Sequence, residues 1–192
     1  MSEFEFVFVL YSLVLGLSLV ELLTGIGRTL EFKLARNEGD KAFAIGWLTP
    51  LLALFVMLDL LSFWVFAWRV RDAVTASTAM VFGVLVFSSA YFLASRLVFP
   101  SSPERFSDLD THYFRVRRTV FAMLITMVAV QYAFLLSLPE FTALITPINL
   151  VATGVLLALM LAASVIRNRS ASIVVLALLI VRYIAIYVIS GR

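Results

Sequence analysis

Six long apolar runs, each separated from the next by a short polar stretch, make up nearly the whole chain. Within each run the apolar residues are continuous instead of alternating. A helix that crosses a bilayer needs about 20 such residues at about 1.5 Å rise each. On that measure the pattern predicts spans at about 5–30, 49–69, 74–98, 115–138, 145–166 and 171–190. A spanning backbone must satisfy its own polar groups, and a barrel would show alternation, so helices are expected. The expected fold class is all-α: a compact bundle of six transmembrane helices forming one integral membrane domain over residues 1–192.

Punctuation residues support these limits. Thr49-Pro50 predicts an N-cap followed by proline at the first helical position, and Phe99-Pro100 predicts a stop. Ser137-Leu138-Pro139 should close the fourth span. Thr146-Pro147 should either start the fifth or kink it, with Glu140–Ile145 as an interfacial turn. The stretch from Ser101 to Phe114 is the longest connection, with room for one short amphipathic turn. Met1–Phe6 lacks the basic start of a signal peptide, and no small-residue cleavage site follows the first run. That run is expected to be a retained helix.

Composition sharpens the class. Of 192 residues, 62% are hydrophobic and 14% charged, with mean hydropathy +1.04; soluble domains carry about 25% charged residues. The net charge of +3 does not point to nucleic acid, because the cations gather in the connections between runs. Eleven lie around the first, third and fifth connections (Arg28, Lys33, Arg36, Lys41, Arg96, Arg105, Arg115, Arg117, Arg118, Arg167, Arg169). Three lie on the other side (Arg69, Arg71, Arg192). The positive-inside rule then places the eleven in the cytoplasm and both termini outside. Small size and spare loops suggest a bacterial cytoplasmic membrane.

Cysteine is absent and His112 is the lone histidine, which removes disulfides, thiolate metal sites and paired-histidine haem. The only lysines, Lys33 and Lys41, lie in or near the first connection, so no helix 6 lysine exists for a retinal Schiff base. No cofactor is expected.

Three ionisable residues stand out inside oily stretches: Glu21, Asp59 and Arg182. A charge at such depth is costly unless paired or hydrated. Arg182 lies about 16 Å along its helix and Asp59 about 15 Å along its own, both from the cytoplasmic end. Matching depth and opposite sign predict that Arg182 meets Asp59, Glu21 or both, as a structural ion pair or as a proton or cation relay. Ser18, Glu21, Gly25 and Arg28 recur at helical spacing on the first helix, below Tyr11, and Asp59 shares a face with Ser62. Gln131, Asn149 and Thr153, with Ser88, Tyr91 and Ser95, are further candidates for a polar interior or for plain interhelical bonding. Arg96 is close enough to the edge to snorkel. Gly154, Ala158 and Ala162 form a small-residue ridge suited to close helix contact, within one subunit or across an oligomer.

The third connection carries Asp108, Asp110 and His112, an Asp-x-Asp-x-His run that is a weak metal motif; helix capping by an aspartate is the plainer reading. Arg115, Arg117 and Arg118 suit anionic headgroups. Three function classes follow. The first is a small channel or transporter, oligomeric, passing an ion, proton or small solute past the charged cluster. The second is a non-catalytic accessory or scaffold subunit binding membrane lipids or other membrane proteins. The third is a lipid-acting enzyme, for which only Asp108, Asp110 and His112 offer chemistry. No hydrolase, metalloprotease or phosphate-loop motif is present, so the balance leans away from an enzyme.

Overall fold

The computed structural model describes residues 2–35, 45–102, 106, 108–138 and 146–190. Among them are six helices long and apolar enough to cross a membrane: α1 (Glu3–Leu34), α2 (Leu48–Arg69), α3 (Thr78–Val98), α4 (Leu109–Leu136), α5 (Pro147–Val165) and α6 (Arg169–Ser190). A short 3-10 turn, Arg71–Ala73, lies between α2 and α3. The chain is thus an all-helical, multi-pass membrane protein.

Successive helices run in opposite directions. The starts of α2, α4 and α6 meet, since Asp110 accepts the Leu48 N–H at 3.0 Å and pairs with Arg169. At the other end Glu3 accepts the Ala76 N–H at 2.9 Å. α2 packs on α1, α3, α4 and α6, and is the most buried of the six; α5 is the least. The core runs through α2, with Leu52, Phe55, Val56 and Phe63 facing Tyr91, Phe121, Leu124 and Leu179.

Local chemistry explains the helix limits. Ser2 and Glu5 form a reciprocal capping box at the start of α1. Ser77 accepts the Met80 N–H, so α3 starts at Thr78, four residues later than expected from hydropathy. Asp108 accepts the Thr111 N–H at 2.7 Å, and α4 therefore begins at Leu109, six residues before the predicted 115. Hydropathy alone could not see that extension, because Asp110, Thr111 and His112 interrupt the apolar run. Thr146 caps α5 and Pro147 takes its first position, so this pair starts the helix and does not kink it. Pro139 and residues 140–145 lie outside the described residues, as do Arg36, Lys41, Arg105 and Arg192.

One cap differs in kind. Thr49 was expected to cap α2, but the helix begins at Leu48, and Trp47 at the N-cap makes no side-chain bond. The orphan N–H of Leu48 is satisfied by Asp110 from α4, and the Thr49 hydroxyl donates to the Leu109 carbonyl at 2.8 Å. Another helix supplies the cap. Gly46 makes room for it: its φ is +66°, and a Cβ there would collide with the Asp110 carboxylate.

α1 and α3 pair along a regular seam. Val7, Tyr11, Leu15, Ser18, Leu22, Gly25 and Thr29 are buried at steps of four and three, alternating from Tyr11 onward, the spacing of a left-handed helix pair. At Gly25 the Phe99 ring lies so close that an added Cβ would overlap it. Gly25→Ala is therefore expected to lower stability by about 1–3 kcal/mol by overpacking. Gly27→Ala is the control, since a Cβ there meets nothing within 4 Å. Thermal unfolding in detergent separates the two, and equal midpoints would disprove the close contact.

Candidate functional site

Asp59 is the most deeply placed acid in the described structure, with 0% of its surface exposed midway along α2. Its partners are hydroxyls from neighbouring helices. Tyr183 of α6 donates to Oδ1, and Tyr91 of α3 stands 3.2 Å from Oδ2. The Tyr91 hydroxyl also lies 2.7 Å from the Val56 carbonyl one turn earlier on α2. Ser62 donates to the Asp59 carbonyl at 2.7 Å, and Tyr187 donates to the Leu58 carbonyl at 2.6 Å. Tyr183 and Tyr187, one helical turn apart, thus clasp α6 onto the acidic turn of α2.

Arg182 does not pair directly with Asp59: among the described residues no ion pair joins them within 4.0 Å. Its Nε and Nη2 donate to the Ala152 carbonyl of α5 at 3.1 and 2.9 Å, and its guanidinium lies 5.1 Å from the Tyr183 ring centre. The base therefore ties α6 to α5. It is connected to Asp59 only through Tyr183, the side chain next to it in the chain.

Glu21 belongs to a separate group. It bonds to Arg96 of α3 and lies 3.8 Å from Arg28, about two turns further along α1. Arg96 continues to Ser101 at 3.2 Å, so it is anchored by an acid and does not simply snorkel. The expected single cluster of Glu21, Asp59 and Arg182 is divided in two. Depth along a helix gives height but not direction, and Arg96 had the reach and the facing that Arg182 lacked.

The remaining polar candidates scatter. Ser18 is buried but donates to its own helix at the Val14 carbonyl, 3.0 Å away. Thr153 meets Tyr132 of α4, an interhelical bond between hydroxyls. Asn149 is exposed near the start of α5. Gln131 lines an apolar cavity of about 440 Å³ between α1, α2, α3 and α4, at the end opposite Asp110. Tyr11 and Phe63 also face this cavity, and the Phe63 ring packs against Tyr91 at 5.6 Å.

The Asp-x-Asp-x-His run fans apart. Asp108 caps α4, Asp110 turns to Leu48 and Arg169, and the His112 Nε2 bonds to the Leu97 carbonyl at 3.1 Å. No group of three metal-ligating side chains converges among the described residues. Of the three arginines expected at the headgroups, Arg115 and Arg118 are exposed. Arg117 is not: it is 3% exposed, and its guanidinium donates to the Ala163, Val165 and Ile166 carbonyls. Those are the last carbonyls of α5 and its C-cap, so Arg117 closes that helix end and meets the negative end of its dipole. The small-residue ridge divides: Gly154 and Ala158 are exposed, and a Cβ on Gly154 would meet nothing within 4 Å, while Ala162 is half-buried against the core.

The sequence reading passed over Tyr183 and Tyr187. Their signal was the Tyr-x-x-x-Tyr spacing beside Arg182, which puts both hydroxyls on one face at the depth of Asp59. Compared with known proteins, the chain matches no family model, no curated protein and no solved structure.

Proposed function

We propose that the protein is a small transporter or channel of a bacterial cytoplasmic membrane in which Asp59 carries a proton or cation. One observation carries this reading: Asp59 is wholly buried, yet its side-chain partners are neutral tyrosine hydroxyls. A structural acid at this depth is ordinarily neutralised by a fixed cation. Here none lies within ion-pair distance among the described residues.

The hydrogen bonds add a second argument. Tyr91 has one hydrogen, and the Val56 carbonyl at 2.7 Å can only accept it. The 3.2 Å contact between Tyr91 and Asp59 Oδ2 is best filled by a hydrogen on the carboxyl, running from Asp59 to Tyr91 to Val56. Tyr183 then serves Oδ1. The site has a place to store a proton, and Arg182 beside Tyr183 supplies a nearby positive field for the ionised state. The 440 Å³ cavity behind Tyr11 and Phe63 offers an approach from the other end of the bundle.

The test is proton or cation flux in proteoliposomes, with wild type compared against Asp59→Asn. The amide keeps the size and can still accept from Tyr183, but it cannot release a proton. Flux in the wild type with loss of at least tenfold in Asp59→Asn is expected. Unchanged flux in the variant would end the reading.

The exposed Gly154 and Ala158 on α5, the least buried helix, favour a second function, that of an accessory subunit docking α5 against another membrane helix or a second copy. Gly154→Leu would then release a stoichiometric partner during purification and leave the bundle intact.

A further inference from the structure

A second pocket, of about 320 Å³, opens where α3 ends and α4 begins. It is lined by Pro100, Ser101, Ser102, Phe106, His112 and Arg115, so a few polar groups stand on a largely apolar wall. The informative atom is His112 Nδ1. The residue is only 7% exposed, and Nδ1 has no hydrogen-bond partner among the described residues. Its other nitrogen faces the Leu97 carbonyl, which can only accept, so Nε2 carries the ring hydrogen. Nδ1 is then a bare lone pair beside a cavity, and such an atom is costly to leave unpaired.

The rest of the pocket offers the opposite polarity. Arg115 is exposed at its mouth, with its guanidinium 5.2 Å from the Phe106 ring centre, a stacking that orients the planar fork. The Phe106 ring in turn stands edge-on to His112 at 5.2 Å. Ser101 already accepts from Arg96 at 3.2 Å, which leaves its own hydrogen free to donate. Ser102 adds a second hydroxyl. Donors for an anion and an acceptor for a hydrogen therefore line one pocket.

We propose that this pocket binds a phosphate ester carrying a neighbouring O–H or N–H group. The phosphate oxygens take Arg115 and the serine hydroxyls, and the neighbouring hydrogen goes to His112 Nδ1. The ends of two spanning helices frame the site, at the level where lipid headgroups lie. Phosphatidylglycerol and phosphatidylethanolamine carry the required hydrogen; phosphatidylcholine, with its methylated nitrogen, does not. A soluble glycerol phosphate shares the same chemistry.

The experiment uses the full-length protein in detergent, titrated with those three phospholipids of matched chains and followed by native mass spectrometry. Calorimetric titration with glycerol 3-phosphate and with inorganic phosphate supplies the soluble arms. The glycerol and ethanolamine lipids should bind about tenfold more tightly than the choline lipid, the worth of one buried hydrogen bond. Arg115→Gln, at an exposed position that leaves the fold intact, should weaken all three by about tenfold. His112→Phe should erase the preference and leave the phosphate contribution. Tight glycerol 3-phosphate binding that displaces the lipids would support the site and assign it a soluble ester. Equal affinity for the choline lipid, no effect of Arg115→Gln, or no binding by any of the five probes would overturn the proposal.

Discussion

Asp110→Ala is expected to be the most destabilising single substitution outside the apolar core, at about 3 kcal/mol, read as a fall in the unfolding midpoint in detergent. Three losses combine. The Leu48 N–H, which begins α2, is left without an acceptor, because Trp47 offers no side-chain cap. Arg169 loses its partner, a charge pairing and not an aligned hydrogen bond. The Thr49 to Leu109 bond still ties α2 to α4, but α6 has lost its ion pair to that joint. Asp110→Asn retains an acceptor for Leu48 and should recover about half of the loss. Gly46 provides an internal check. Gly46→Ala suffers from its φ of +66° and from collision with the Asp110 carboxylate. In the Asp110→Ala background the collision vanishes, and only the backbone penalty of about 1 kcal/mol should remain. Additive effects would show that Asp110 does not hold this joint.

That joint marks the boundary of what the sequence could reveal. The six spans were legible because burying backbone in hydrocarbon demands long apolar helices, and nothing else in the chain competes with that pattern. The ends were less legible. α4 starts at Leu109 because Asp108 caps it, and α2 starts at Leu48 because a carboxylate 62 residues away satisfies it. Local propensity cannot see a cap delivered from another helix. The stripe of Tyr11, Ser18, Glu21, Gly25 and Arg28 on α1 divides: Tyr11, Ser18 and Gly25 lie on the buried seam, while Glu21 and Arg28 are half-buried beside it, their places on the seam taken by Leu22 and Thr29.

The polar interior was legible residue by residue but not as a set. Helical rise placed Asp59 and Arg182 at one depth, yet rotation about each axis decided the partners, and rotation depends on packing. Glu21 found Arg96 on α3, and Arg182 found a carbonyl on α5. Arg117 shows the same limit: one of three clustered arginines turned inward because the end of α5 lay within its reach. Tyrosines proved more informative than their share of the aromatic count suggested. Each has an apolar ring that the membrane accepts and a hydroxyl that can meet a buried acid.

The second large effect concerns that acid and its tyrosine. Tyr183→Phe removes the donor to Asp59 Oδ1 and leaves the ring in place between Phe55 and Tyr187. A buried carboxyl oxygen stripped of its partner costs about 1–3 kcal/mol, so the variant should unfold correspondingly earlier. Asp59→Leu removes both oxygens and fills similar volume, so its own cost should be smaller than the removal of a tyrosine hydroxyl suggests, since the burial penalty of the acid goes too. The decisive measurement is the cycle. With leucine at 59, Tyr183→Phe has no acid to strand and should cost at least 1 kcal/mol less than in the wild type. Tyr187→Phe, which frees only the Leu58 carbonyl, should cost about the same in either background. Coupling at 183 without coupling at 187 locates the interaction at the carboxyl itself. If both tyrosines show the same dependence on residue 59, the acid acts only through the general packing of α6 on α2, and a proton-holding site at Asp59 loses its structural basis.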